Sequence, residues 1–227
     1  HATSKIEEAE DLFSVATMGF RGEALASIAA VAKVSLQTAK EGVGTEVYIE
    51  GGEVKSISPF ARNQGTTVEV RQLFYNVPAR RKFQKSQSRS MADITKTCSL
   101  LSLAHPLVAF ELYNQEECVL KLPREEESKG FVSALKRRVA GVLGESFLEG
   151  CKEVDITTDL FTLKGILASS EQSKPSKQGQ YQFVNERAVL CPAVSFAVKD
   201  AFGTRLQEGR FPSYVLHLEI AKEYVDV

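Results

Sequence analysis

Helical periodicity is strongest just after residue 22. Leu25, Ile28, Ala29 and Ala32 recur at helical spacing with alanines in most of the gaps. That pattern predicts a helix from Gly22 or Glu23 to about Val31, buried along this face. The period then switches to two. Val34-Ser35-Leu36-Gln37-Thr38 and Thr45-Glu46-Val47-Tyr48-Ile49-Glu50 alternate as strands, Gly51-Gly52 predicts a hairpin turn into Val54 and Ile57, and Gly65 to Val70 alternates again. Pro78 suits the first turn of a helix capped near Asn76 or Val77. A longer amphipathic helix is predicted from Met91 to Ala104, with Ile94, Cys98, Leu101 and Ala104 inward and His105-Pro106 ending it. His105 has no partner motif and reads as a helix-end residue. Val108 to Tyr113 and Cys118 to Leu122 form a predicted hairpin around Asn114-Gln115-Glu116.

The pattern breaks at Pro123 to Gly130, a charged stretch with Pro, Gly and no apolar face, which predicts a linker. Beyond it come a helix from Phe131 to Leu143 and strands near Val154–Ile156 and Phe161–Ala168. A Ser-, Lys- and Gln-rich gap from Ser169 to Gln178 reads as a mobile loop. Tyr181 to Val184 is a strand turning at Asn185-Glu186 into Ala188 to Leu190, and Pro192 opens a helix to about Leu206. Val215 to Ile220 alternates cleanly, which puts His217 on a polar strand face, and Tyr224 to Val227 begins another strand. Helices and strands are interspersed throughout, so the class is α+β.

Composition narrows the picture. With 43% hydrophobic and 25% charged residues over 227 positions, the chain is an ordinary globular one with ample core material. The net charge of −1 means that any nucleic-acid contact must come from a local patch. Cys98, Cys118, Cys151 and Cys191 form no CxxC pair, and the scattered histidines complete no zinc spacing, so no metal site is predicted and a reducing, cytoplasmic compartment fits. No apolar run is long enough to span a bilayer. The chain opens on His1-Ala2-Thr3-Ser4-Lys5 without methionine, which predicts that it is a piece of something longer.

Two stretches carry candidate chemistry. Gly19-Phe20-Arg21-Gly22-Glu23-Ala24-Leu25 places glycines at a helix start, where close backbone approach and unpaired N–H groups make a seat for phosphate. The same residues also suit a plain glycine turn into a packed helix, with Arg21 solvated. Thr3, Ser4 and Lys5 set two hydroxyls beside a cation ahead of a short acidic helix or turn from Glu7 to Phe13. Arg80, Arg81, Lys82, Lys85 and Arg89 fall in a run with no acid from residue 79 to 90, which reads equally as a solvated cationic face or as an edge facing phosphate.

The order of the motifs says more than any one of them. HATSKI, GFRGEALASI, GTTVEVRQLFYNVPARRKF, YQFVNER, FPSYVLHLEI and YVDV follow one another over essentially the whole chain. In that order they resemble the N-terminal region of the MutL family of DNA mismatch repair proteins, in a bacterial form. The resemblance implies a layered helix and mixed-sheet ATPase domain of the GHKL superfamily, shared with type II topoisomerases, a heat-shock chaperone and histidine kinases. A smaller βαβ-containing domain, like those of ribosomal and topoisomerase relatives, would follow. On this reading residues 1–122 are the C-terminal part of the ATPase domain, 123–130 the linker and 131–227 the second domain.

The same resemblance assigns roles. Thr3, Ser4 and Lys5 would start the nucleotide lid, and Gly19, Phe20, Arg21, Gly22, Glu23, Ala24 and Leu25 would end it, with amides on the triphosphate. Thr66 and Thr67, after Gly65, would line the sheet behind the nucleotide. ATP and Mg²⁺ are the implied cofactors. The family's water-activating glutamate, Mg²⁺-binding asparagine and adenine-reading Asp-Gly lie upstream of HATSK, and its phosphate lysine follows the position of Val227. The expectation is therefore that this chain alone does not hydrolyse ATP. Implied partners are DNA bound without sequence preference, a second copy joined through the N-terminal regions on ATP binding, the mismatch-recognition protein MutS, and a downstream nuclease or helicase. The work would be done in the bacterial cytoplasm, at the nucleoid during repair. DNA candidates are Arg80, Arg81, Lys82, Lys136, Arg137, Arg138, Lys174 and Lys177. Val189 to Ala193 is uncharged where relatives often carry arginine, which argues against DNA contact there. The alternative is a DNA- or partner-binding module with a vestigial nucleotide site.

Overall fold

The computed structural model describes residues 19, 22–126, 128, 130–221 and 224–225. Thr3, Ser4, Lys5, the segment from Glu7 to Phe13, Phe20 and Arg21 lie outside the described residues. The chain forms two compact units that divide between Ser86 and Gln87, well before the predicted linker.

In the first unit α1 (Ala24–Ala29) leads into β1 (Lys33–Ala39), β2 (Gly44–Glu50), β3 (Glu53–Phe60) and β4 (Gly65–Arg71), and α2 (Pro78–Lys82) follows. The sheet order is β3-β2-β1-β4 with every neighbour antiparallel. Alternation sorts its faces. Val34 lies opposite Ile49 and Val70, and Leu36 lies opposite Val47 and Val68, so these share one face. Lys33, Ser35 and Gln37 share the other with Glu46, Tyr48, Glu50, Glu69 and Arg71. The apolar face is only partly covered: Ala29, Ala32 and Val34 are buried with Ile49 packed on them. Leu25 and Ile28, predicted to be inward, are 37% and 38% exposed. The helix is six residues long, shorter than its pattern suggested, and only its C-terminal end reaches the sheet.

The second unit comprises α3 (Gln87–Ala104), a hairpin of β5 (Phe110–Asn114) and β6 (Glu117–Leu122), and α4 (Phe131–Leu143). After these come β7 (Lys152–Thr157), β8 (Phe161–Leu167), β9 (Gln180–Val184), β10 (Arg187–Ala188), α5 (Pro192–Phe202) and β11 (Tyr214–Ile220). Five strands order as β10-β9-β11-β8-β7. Strands β9 and β11 are parallel with α5 crossing between them, which is the βαβ unit; the other pairs are antiparallel. Ile166, Phe183 and Val215 on one face pack with Leu103, Leu135 and Val139 of α3 and α4. On the opposite face Gln182 and Tyr214 bond to Ser195 of α5. The sheet is thus covered on both sides. Gly165 in β8 is required by packing: a Cβ there would lie 2.2 Å from the Val215 carbonyl oxygen.

Four expectations change. The inward residues of α3 are Leu100, Leu103 and Ala104 at its end, while Ile94 and Leu101 are 47% and 36% exposed, because α4 meets only the last turns. The predicted linker is bound rather than free. Arg138 Nη2 donates to the carbonyls of Pro106, Val108 and Pro123, and Arg137 holds Glu125 at 2.6 Å. The gap from Ser169 to Gln178 is pinned: Arg210 Nε donates to Ser173 Oγ at 2.7 Å, Ser213 Oγ donates to the Gln172 carbonyl at 2.8 Å, and Lys174 pairs with Phe211 through the backbone. Polarity there serves internal hydrogen bonding and not solvation. His217 is buried, not on a polar face, and Tyr224 and Val225 carry no strand.

Candidate functional site

Gly22 adopts φ +64°, a left-handed conformation that suits glycine, immediately ahead of α1. Glu23 caps the helix through its backbone alone, its carbonyl accepting from Ser27 N at 2.8 Å, with no side-chain cap bond. The first N–H groups of α1 therefore keep their donor capacity, and Glu23, Ala24 and Leu25 face outward. Gly19 is exposed, and a Cβ there would meet nothing within 4 Å.

The opposite end of α1 is the reverse case. Gly52 N donates to the Ala29 carbonyl at 2.8 Å, Asn76 Nδ2 to Ala30 at 2.9 Å, Phe74 N to Val31 at 2.7 Å and Gly51 N to Ala32 at 3.3 Å. Two loops thus satisfy consecutive carbonyls that a helix end leaves open. One is the β2–β3 turn; the other runs from Gln72 to Val77 and holds Gln72 and Phe74 at φ +51° and +63°, costly for side chains of that size. This second loop leads through Val77, the residue before Pro78, into α2. Sequence reasoning missed Asn76 in this role, although its position just before Pro78 was the available signal.

The threonines divide. Thr66 lies opposite Thr38, on the face that α1 covers, and its hydroxyl is 2.8 Å from that of Thr38. Thr67 lies opposite Gln37 on the polar face, where Arg62 Nη1 donates to its hydroxyl at 3.1 Å. A ligand on the α1 side can meet the Thr66 hydroxyl and not that of Thr67. The polar face itself forms an open groove of about 530 Å³ lined by Lys33, Glu46, Tyr48 and Arg71 among others. Its cations are already paired, Lys33 with Glu50 at 3.0 Å and Arg71 with Glu69 at 2.7 Å.

The basic candidates also separate by environment. Arg80, Arg81 and Lys82 lie exposed in the last turn of α2, where cations suit the helix dipole, and among the described residues none of the three forms an ion pair. Arg80 sits 6.0 Å from the Phe74 ring centroid. On α4, Lys136 bonds Glu153 at 2.8 Å, and this bond raises its pKa. Arg137 is held by Glu125, the Ser133 hydroxyl and the Glu126 carbonyl. Arg138 is 1% exposed, and desolvation lowers its pKa. Its guanidinium is spent on three carbonyls, so it is unavailable to a phosphate and leaves the DNA set. Lys174 and Lys177 are exposed on the pinned segment of the second unit.

Among the described residues no group of three His, Cys, Asp or Glu could hold a metal ion, and no helix is long and apolar enough to cross a membrane. A phosphate fits the uncapped start of α1 beside Gly22, which is the part of a nucleotide site that the described residues supply.

Comparison with known proteins gives this arrangement its context. Residues 139–227 match the family model described as DNA mismatch repair protein, C-terminal domain. Over its whole length the chain is 39% identical to the DNA mismatch repair protein MutL of Clostridium beijerinckii, of which it covers 33%. It is 38% identical to the MutL of Bacteroides fragilis, covering 35%. The chain thus spans about a third of the length of the curated relatives it matches. Among solved structures, the Aquifex aeolicus MutL ATPase domain complexed with ADP aligns with a TM-score of 0.65 at 26% identity, over 94% of this chain and 75% of that one. The N-terminal domain of a DNA repair protein aligns at 0.73 and 25% identity, over 93% and 67%. The B subunit of DNA gyrase from Myxococcus xanthus, at 0.55 and 16% identity, shares the fold. By sequence along its full length and by the ATPase-domain fold, the chain belongs to the MutL family of DNA mismatch repair proteins.

Proposed function

We propose that this chain supplies the lid end and one sheet wall of an ATP site in a mismatch repair protein. In this reading the whole protein binds and hydrolyses ATP with Mg²⁺, pairs with a second copy through its N-terminal region and acts on DNA in the cytoplasm, together with MutS and a downstream nuclease or helicase. The observation that carries the reading is the asymmetry of α1. Its start is open, with Gly22 left-handed and no side-chain cap, while its end is bonded carbonyl by carbonyl to two loops. A helix anchored at its C-terminus and uncapped at its N-terminus presents fixed donors to an anion. The ADP held by the Aquifex domain is consistent with that anion being a nucleotide phosphate. Arg21, Gly22, Glu23, Ala24, Leu25 and Thr66 are the proposed contacts, with Gly19 and Phe20 shaping the approach and Thr3, Ser4 and Lys5 at the far end of the lid. Thr67 acts only through the backbone of β4.

DNA contact in this reading runs through the unpaired cations of α2, Arg80, Arg81 and Lys82. Lys174 and Lys177 are secondary, and Lys136 and Arg137 must first leave their acids. The test of the nucleotide reading is Gly22→Val in the full-length protein, assayed by titration with a fluorescent ATP analogue. A β-branched residue is strained at φ +64°, so affinity is expected to fall at least tenfold with little change in melting temperature. Unchanged affinity would overturn the reading in favour of a module with a vestigial site.

A further inference from the structure

Phe83 is the C-cap of α2, with its N–H bonded to the Arg80 carbonyl at 3.2 Å, and its side chain is 84% exposed. A single exposed apolar side chain is ordinary. This one is not isolated in charge. Arg80, Arg81 and Lys82 precede it, Gln84 and Lys85 follow, and residues 79–90 contain no acid. Arg80 and Phe83 are three apart and so lie on one side of the helix, which sets a guanidinium beside an open ring. An aromatic face among cations that have no carboxylate partner matches a strand whose phosphates and unstacked bases are both accessible. It does not match a duplex, in which base faces are already stacked. A basic peptide is excluded by charge, and an acidic peptide has no use for the ring.

We propose that Phe83 is a stacking platform for an unpaired base, so that α2 prefers single-stranded or locally opened nucleic acid over intact duplex. This rests on the reading of α2 as the DNA contact and extends it to the form of DNA chosen. The cations supply affinity that depends on salt; the ring supplies selectivity that does not.

The experiment measures binding of the full-length protein to a labelled single strand and to the matching duplex by anisotropy across a salt series. Phe83→Leu is expected to lose about tenfold in affinity for the single strand, with duplex affinity and salt slope unchanged, and Phe83→Trp is expected to retain or exceed the wild-type value. Because the side chain is exposed, neither change threatens the fold. The paired change Arg81→Ala with Lys82→Ala is expected to weaken both DNA forms and to lower the salt slope by about two. If that pair weakens both forms while Phe83→Leu changes nothing, or weakens both forms equally, the stacking proposal is overturned and the α2 contact stands. If the pair changes neither affinity nor slope, the α2 contact and the stacking proposal fall together.

Discussion

His217 shows how one residue can change character with its surroundings. Alternation in Val215 to Ile220 puts it on the same face as Val215, and that face is the one α3 and α4 cover. The imidazole stacks on Phe183 at 4.6 Å, meets Phe131 edge-on at 5.0 Å and bonds the backbone of Leu103, while its Nε2 has no partner among the described residues. Burial, the largest cause, lowers its pKa to about 4. The consequence for stability has a definite sign. Above pH 6.5 the ring is neutral in both states and costs nothing. Between 6.5 and 4 the unfolded chain takes up the proton and the native one does not, so stability falls with falling pH, by about 3 kcal/mol in all. Urea unfolding at pH 7 and pH 4.5 is expected to show a smaller loss for His217→Phe than for wild type. An equal loss would place the acid sensitivity elsewhere, in the carboxylates. Arg138 makes a parallel case: its Nη2, with two hydrogens shared among three carbonyls, binds segments that a cation on a helix gives no hint of touching.

At the scale of elements, the informative junction is the one between α1 and the loop from Gln72 to Val77. An isolated six-residue helix is unstable in water, because the cost of nucleation is not recovered over so few bonds. This one persists because Ala29 and Ala32 are buried on β1 and β2 and because its terminal carbonyls find partners in other loops. Asn76→Ala removes the donor to Ala30, and a loss of about 1 kcal/mol is expected. Asn76→Asp is expected to lose more, since it sets a carboxylate against a carbonyl. Amide exchange over residues 24–32 is the readout: it should accelerate in both variants while β8 and β11 stay protected. Exchange of α1 that ignores Asn76 would mean that the alanine packing alone holds the helix.

At the scale of the whole chain the two units differ in how completely they are covered. The second unit buries residues on both faces of its sheet, with Leu216 and Tyr214 beneath α5 and Val215 and Phe183 beneath α3 and α4. In the first, Val54, Ile57, Val68 and Val70 remain 57%, 67%, 49% and 42% exposed. Local opening follows buried apolar contact, so hydrogen exchange is expected to be fastest in the sheet edges β3 and β4 and slowest in β8 and β11. Uniform protection across both sheets would contradict this ranking.

Much of the architecture could be read from the chain. Strand positions from β1 to β4, the span Phe131–Leu143 of α4, the hairpin turn at Gly51-Gly52 and the βαβ unit all follow from periods of two and 3.6 and from glycine or proline at the breaks. These are properties of neighbouring residues, so they survive without tertiary knowledge. The glycine-led start of α1 and the basic run of α2 were legible for the same reason, as was the family, which rests on the order of the motifs. Only the tertiary structure decided which polar groups are consumed internally. It placed Arg138 and His217 in the interior, tied down the Ser169 to Gln178 segment, and turned Thr66 and Thr67 to opposite faces. It also moved the unit boundary to Ser86 and joined Asn76 to the end of α1. Each of these depends on what arrives from elsewhere in the chain to cover a residue, and a linear pattern reports which side a residue faces without reporting what covers that side.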